Sequence, residues 1–198
     1  METFGKMLTQ VNWMDILIVL VSVRIIYTGI KHGFIIEFFK LIGVFSALFI
    51  TFHYYTGLAK ILEDHTAVPE SFADFLCFGL LWAAVILAFK LIRDGLMLLF
   101  KVEAVSLVDQ WGGLLLSILR GALTGSLILI FLQVSGMEYW KNNAKKSFFN
   151  PYLGGLSPEI YKATYDGMVS KFFPTEKLNL AVFKIKNEKS ESKGSSSD

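Results

Sequence analysis

Apolar residues fill the first two-thirds of the chain in four long runs, and short polar stretches separate these runs. A helix that crosses a bilayer needs about 20 mostly apolar residues, because each residue rises about 1.5 Å through a hydrocarbon core about 30 Å thick. The four runs come close to or exceed that length, and they predict membrane-spanning helices at about residues 13–30, 34–55, 72–92 and 112–134. The connection at 31–33 is so short that the first two helices are predicted to form an antiparallel hairpin.

The chain outside these runs is more polar and predicts three further segments. Residues 1–12 form a flank before the first helix, and residues 135–183 form a polar segment that contains an amphipathic helix at 158–173. Residues 184–198 are charged and low in complexity, which predicts disorder. The predicted fold is therefore an all-α, integral-membrane four-helix bundle over residues 13–134, followed by the amphipathic helix and a disordered tail.

The predicted amphipathic helix carries large apolar side chains at helical spacing. Ser157 as N-cap and Pro158 as the first helical residue predict where it begins, and Pro174 predicts where it ends. The apolar stripe consists of Tyr161, Tyr165, Met168 and Phe172. Two interpretations stay open: the stripe lies on the membrane surface, or it packs against the loops of the bundle.

The composition argues against several classes of protein function. Hydrophobic residues make up 54% of the 198 residues and charged residues 18%, against about 25% in an average soluble domain, which disfavours an ordinary soluble enzyme. The net charge of +2 is too small to indicate nucleic-acid binding, and Cys77, as the single cysteine, excludes an internal disulfide. His32, His53 and His65 lack the spacing of metal ligands, and no catalytic motif is present. The sequence therefore predicts no enzyme activity, no metal and no cofactor.

Small residues recur every four positions in the fourth helix and so line one of its faces. The stripe consists of Gly113, Ser117, Gly121 and Gly125, and Gly29 and Gly33 form a shorter version near the first turn. In lipid, such faces let two helix backbones approach closely. The stripe predicts helix packing within the bundle, with an oligomer interface and a ligand groove as the alternatives.

Charged residues inside the apolar runs are a second signal, because a charge at the centre of a bilayer costs about 3 kcal/mol on insertion scales. These residues are Asp15, Arg24, Glu37 and Arg120. Arg24 and Glu37 lie at similar distances on either side of the first turn, which predicts a pair between the first two helices. Asp15 lies on the opposite face of its helix from Arg24, and Arg120 has no evident partner. The charges are interpreted as bundle pairs or side chains that extend to the surface, as a proton or ion site, or as a headgroup site.

Short motifs at the helix ends carry a family resemblance. They are Trp13-x-Asp15, Lys31-His32-Gly33-Phe34-x-x-Glu37, His53-Tyr54-Tyr55, Asp109-x-x-Gly112-Gly113 and Leu119-Arg120-Gly121-Ala122-Leu123. This layout resembles the colicin V production protein family, small bacterial inner-membrane proteins with four predicted spans, over about residues 11–135. His32 and Gln110 stand at positions where that family typically has arginine.

The resemblance implies a multi-pass protein of the bacterial inner membrane with a role in the production or export of a peptide toxin and in envelope homeostasis. We expect a non-enzymatic scaffold or regulator that presents the helix at 158–173 to lipid or to a partner. A conduit for small ions or solutes, built around Arg24, Glu37 and Arg120, is the alternative. The lipid bilayer is the expected partner, and a second copy of the chain or another membrane protein are further candidates.

The positive charges near the helix ends indicate an orientation. More of them lie near the first and third connections, among them Lys31, Lys90, Arg93 and Lys101, than near the other ends of the helices. Because the cytoplasmic side of a membrane protein carries the excess of Lys and Arg, both termini are predicted to lie outside the cytoplasm.

Overall fold

The computed structural model describes residues 12–66, 68–99, 107–172 and 176–183. Within these ranges the regular structure is helical and contains no strand, which confirms the all-α fold class. The predicted tail at 184–198 and nearly all of the predicted flank at 1–12 lie outside the described residues.

Three helices of the described part are long and apolar enough to cross a membrane by their length and composition, namely Trp13–His65, Glu70–Met97 and Leu107–Val134. Gly33 interrupts the first of them with non-helical dihedral angles, φ 74° and ψ −179°, so this element consists of α1 (residues 13–32) and α2 (residues 34–65). α3 is Glu70–Leu99 and α4 is Leu107–Val134. The count of four membrane spans stays a prediction.

The chain reverses its direction at Gly33, and the contacts along α4 reveal this reversal. Against α1, Gly113 contacts Gly29 and Gly125 contacts Ile18. Against α2, Arg120 pairs with Glu37, and Ile130 lies in the same buried cluster as Phe52. α4 therefore runs antiparallel to α1 and parallel to α2, so α1 and α2 are antiparallel, as the short connection predicts. Glycine is required at the turn because residues with a Cβ avoid the dihedral angles of Gly33.

The main buried core fills the half of the bundle that lies away from Gly33. It consists of Val44, Leu48, Phe52, Tyr55, Phe78, Leu123, Leu127, Ile130, Tyr161 and Val182. The outward faces of the helices carry large apolar side chains, since Leu20, Leu91 and Leu115 are 65%, 71% and 70% exposed. An apolar exterior around a packed core suits contact with lipid tails.

Short helices follow α4. They are α5 (Glu138–Lys146), α6 (Asn150–Leu153), α7 (Leu156–Thr164), a π-helical turn (Tyr165–Val169) and α8 (Ser170–Phe172). The helix predicted at 158–173 thus begins earlier, at Leu156, and its regular α-helical hydrogen bonding changes at the π turn. Gly155 takes the N-cap position instead of Ser157, whose backbone N–H donates to the hydroxyl of Ser126 on α4 at 3.0 Å.

α7 packs on the bundle. Tyr161 is fully buried, and its ring centroid lies 5.4 Å from that of Phe49 and 5.7 Å from that of Phe52 on α2. Of the two interpretations of the apolar stripe, this contact favours packing against the bundle. Tyr165 is half-buried, and the side chains of Met168 and Phe172 lie outside the described part of the chain.

Candidate functional site

A cavity of about 660 Å³ lies between α1, α2 and α3, in the half of the bundle that contains the turn at Gly33. Its basic lining residues are Arg24, His32, Lys40, Lys90, Arg93 and Arg120, and its acidic lining residue in the described part is Asp94. Apolar side chains such as Ile36, Phe39 and Phe89 form much of the remaining wall. We call this space the basic cavity.

A buried cluster of charges forms the floor of the basic cavity. Glu37 is fully buried, and its two carboxylate oxygens lie 2.5 Å from Lys40 Nζ and 2.9 Å from Arg120 Nη2. Arg120 Nη2 also donates to the carbonyl oxygen of Ile25 on α1 at 3.4 Å. The side chains of Lys40 and Arg120 are only 12% and 13% exposed. Arg120 therefore connects α4 to both α1 and α2.

The small-residue stripe determines where Arg120 lies. A Cβ at Gly113 would overlap the carbonyl oxygen of Gly29, and a Cβ at Gly29 would overlap the side chain of Ser117, so α1 and α4 cross in close backbone contact. Arg120 precedes Gly121 of the stripe by one residue, a rotation of about 100° around the helix, which directs it to the groove between α1 and α2.

The rim of the basic cavity is more accessible than its floor. Arg24 and Lys90 are exposed and form no ion pair within the described part of the chain. Arg93 pairs with Asp94, with Nη2 2.5 Å and Nε 2.9 Å from the same carboxylate oxygen. His32 Nδ1–H donates within its own helix to the carbonyl oxygen of Thr28 at 2.7 Å.

The charges around the basic cavity do not balance among the described residues. Five Lys or Arg side chains line it, and the carboxylates of Asp94 and the buried Glu37 offset two of them. Positive charge in a largely apolar wall repels cations and attracts anions, because the surroundings screen it less than water does. The described residues contain no group of three or more His, Cys, Asp or Glu that could hold a metal ion.

The structure brings the predicted small residues together inside one chain. Gly29, Gly113 and Ser117 meet where α1 crosses α4. Gly121 faces Ile25 and Ser22 at distances of 3.8 and 4.0 Å from a Cβ built on it, and Gly125 faces Ile18 and Leu153. This arrangement favours the packing interpretation of the stripe.

The predicted intramembrane charges are arranged differently from the expectation. Glu37 pairs with Arg120 and Lys40 and not with Arg24, since Glu37 faces α4 whereas Arg24 lies at the exposed rim. The sequence interpretation did not assign Lys40, Lys90 and Arg93 to the site. The three-residue spacing of Glu37 and Lys40 on one helix was a usable signal for their pair.

Asp15 lies at the opposite end of the bundle from the basic cavity. Its carboxylate accepts hydrogen bonds from the backbone N–H of Asn12 at 3.1 Å and from the hydroxyl of Ser147 at 2.5 Å. An acidic residue in the first turn also interacts favourably with the helix dipole. Asp15 therefore stabilises the start of α1 and its contact with the segment after α5.

A second polar cluster attaches residues 176–183 to α2. The hydroxyl of Tyr161 accepts from the backbone N–H of Asn179 at 3.2 Å and lies 3.1 Å from His53 Nδ1. Burial raises the pKa of the Tyr161 phenol, so the hydroxyl stays protonated and can donate to Nδ1. This bond leaves the proton on His53 Nε2, which lies 3.1 Å from a carboxylate oxygen of Glu176.

Asn179 adds two contacts from the same segment. Its Nδ2 donates to the carbonyl oxygen of Phe52 at 2.7 Å and to the hydroxyl of Thr56 at 3.0 Å. Val182 is buried in the main core. The second polar cluster therefore attaches the end of the described chain to the bundle.

Comparison with models of protein families gives a match. The family model described as Colicin V production protein matches residues 14–158, which confirms the resemblance inferred from the motifs. No curated protein and no solved structure gives a significant match.

Proposed function

Because the chain belongs to the colicin V production protein family, we propose that it is a non-enzymatic scaffold or regulator of the bacterial inner membrane. In this role it crosses the membrane several times and acts in toxin production or export and in envelope homeostasis. The family and the three long apolar helices support a membrane protein of colicin V production. The scaffold role is our proposal and rests on how the bundle is packed.

The observation that carries the proposal is the packed half of the bundle beyond the basic cavity. The cavity reaches Gly43 and Val44 on α2, and beyond this level Leu48, Phe52 and Leu127 are buried at 1% exposure or less. A conduit needs a continuous polar path, whereas this half is filled mostly with apolar side chains, among which polar ones such as Thr51 and Ser126 are also buried. A static bundle that holds other elements in place fits this packing better.

The C-terminal helices form the surface that such a scaffold would present to a partner. α7 and residues 176–183 pack on α2, and Asp15 ties the start of α1 to Ser147. Large side chains remain exposed on this part, with Tyr139 at 65% and Tyr152 at 70%. The lipid bilayer, a second copy of the chain or another membrane protein are the candidate partners.

Complementation of a deletion strain tests the proposal. The double variant Tyr139→Ser with Tyr152→Ser removes exposed rings from α5 and α6, and Leu180→Ser, at a position that is 64% exposed, is the matched surface control. We expect the double variant to reach normal levels in the membrane but to lose toxin secretion and resistance to envelope stress, while the control retains both. Full activity of the double variant would contradict the proposal.

A conduit for small ions or solutes is the second candidate, and the volume of the basic cavity favours it. Ion flux through liposomes that contain the purified full chain distinguishes the two functions. A scaffold gives the same flux as empty liposomes. Flux above that level, abolished by Arg120→Met, would support the conduit.

A further inference from the structure

We infer that the basic cavity is a binding site for a phosphate group, carried by a lipid headgroup or by a small soluble compound. The inference goes beyond the scaffold role and depends only on the residues that line the cavity. Its volume of about 660 Å³ falls in the range of about 300–1,000 Å³ that is common for small-molecule sites.

The charge of the cavity selects the class of ligand. Five Lys or Arg side chains face two carboxylates, so three positive charges are not offset within the described residues. A phosphate monoester carries about two negative charges at neutral pH, and a carboxylate carries one. Phosphate therefore offsets more of the excess charge than a carboxylate does.

The types of cationic group also fit phosphate. Arg24 presents a planar guanidinium group, which can donate two parallel hydrogen bonds to phosphate oxygens. Arg93 and Arg120 keep N–H groups that their contacts with Asp94 and Glu37 do not use. Lys90 adds a point charge at the rim. Arg24 and Lys90 are not engaged in ion pairs elsewhere in the described part, so both remain able to bind a ligand.

An unpaired donor in the floor supports the same inference. Arg120 Nε is buried, and it has no hydrogen-bond partner among the described residues. A buried N–H group without an acceptor is destabilising, and such groups are rare in folded proteins. Because this N–H has almost no accessible surface, an oxygen of a bound anion would satisfy it after the Arg120 side chain turns toward the cavity.

The position of the cavity gives access to both sources of phosphate. Val44, its deepest residue on α2, lies eleven residues after Gly33, or about 16 Å along the helix, so the cavity spans about half of a hydrocarbon core. It lies on the side that the positive charges predict to be cytoplasmic. Ile36, Phe39 and Phe89 in the wall can contact an acyl chain when the phosphate belongs to a lipid.

The test uses the purified full chain in nanodiscs of phosphatidylcholine and measures binding of two probes. The probes are inorganic phosphate and short-chain phosphatidic acid, which carries a phosphate monoester, and short-chain phosphatidylcholine is the reference lipid without net charge. The double variant Arg24→Gln with Lys90→Gln removes two rim charges from exposed positions. Lys60→Gln with Lys162→Gln removes the same charge from exposed positions that do not line the cavity.

We expect saturable binding of at least one phosphate probe, and we expect the rim variant to bind it at least about tenfold more weakly than the control variant. Binding of inorganic phosphate alone identifies a soluble ligand, and binding of phosphatidic acid alone identifies a lipid. Both results support the shared phosphate chemistry. Two outcomes overturn the inference: neither probe binds, or the rim and control variants bind equally well. Because complementation and liposome flux are measured separately, failure here leaves the scaffold proposal intact.

Discussion

The carboxylate of Glu37 on α2 is completely buried and lies 2.9 Å from the guanidinium group of Arg120 on α4. Lys40 approaches the other carboxylate oxygen of Glu37 at 2.5 Å, so one acid contacts two bases and offsets the charge of one of them. This three-residue cluster connects two helices that are far apart in sequence and forms the floor of the basic cavity. Its members are not equivalent, because the loss of Glu37 leaves two cations without their carboxylate.

The first prediction follows from this asymmetry. Glu37→Gln should destabilise the protein by about 3–5 kcal/mol, because removal of one partner leaves buried charge without compensation. Arg120→Gln should cost less, since Glu37 keeps its pair with Lys40. Denaturant unfolding of the purified protein in detergent micelles measures both values. Arg24→Gln, at an exposed position, is the control and should lie within about 0.5 kcal/mol of wild type. Equal effects of Glu37→Gln and Arg24→Gln would contradict the prediction.

The second prediction concerns the crossing of α1 and α4. Gly113→Ala should destabilise the protein by about 1–3 kcal/mol, because its new methyl group meets the backbone of Gly29 and Gly33, which cannot move as a side chain can. Gly121→Ala on the same face has its nearest neighbour at 3.8 Å and should be neutral or stabilising. Thermal unfolding in detergent compares the two variants. A Gly113→Ala protein as stable as Gly121→Ala would show that the helices do not cross this closely.

The third prediction concerns the turn between α1 and α2. At φ 74° and ψ −179°, Gly33 adopts a conformation that costs other residues about 1–3 kcal/mol, so Gly33→Ala should lower the free energy of unfolding by that amount. Gly57→Ala is the matched control, since it lies within α2 and a Cβ there has no neighbour within 4 Å. This control should raise stability by about 0.5–1 kcal/mol through helix propensity. The midpoints of denaturant unfolding measure both changes in stability. A shift of the midpoint in the same direction for both variants would contradict the prediction.

The fourth prediction concerns the attachment of residues 176–183. Asn179→Ala removes the hydrogen bonds to the Phe52 carbonyl oxygen and the Thr56 hydroxyl, each worth about 1 kcal/mol net. Local opening should then become more frequent, and trypsin should cleave after the exposed Lys177 about thirtyfold faster. Mass spectrometry of timed digests measures the initial rate. The variant Leu180→Ala, which changes an exposed position, is the control and should be cleaved at the wild-type rate. A wild-type cleavage rate in Asn179→Ala would contradict the attachment of residues 176–183.

Features that depend on local properties could be predicted from the amino-acid sequence. The length of the apolar runs predicts the long helices, because a helix needs about 20 such residues to span a bilayer. The turn at Gly33 also follows from a local cause, since the short connection requires a residue that tolerates positive φ. The helix predicted at 158–173 lies close to the observed one, but its start differs. The backbone N–H of Ser157 donates to the hydroxyl of Ser126 on α4, and a residue so distant along the chain is not part of the local pattern around Ser157.

Which charged residues meet depends on how the helices pack against one another. The sequence predicted a pair between Arg24 and Glu37 from their similar distance to the turn, whereas the structure pairs Glu37 with Arg120. The reason is helix rotation: the close contact of Gly113 with Gly29 sets how α4 lies on α1 and thereby directs Arg120 to the carboxylate. The same rotations bring side chains of α1, α2 and α3 into one basic cavity. Depth in the membrane can be counted along a sequence, but the facing of one helix toward another arises from the packing of all of them.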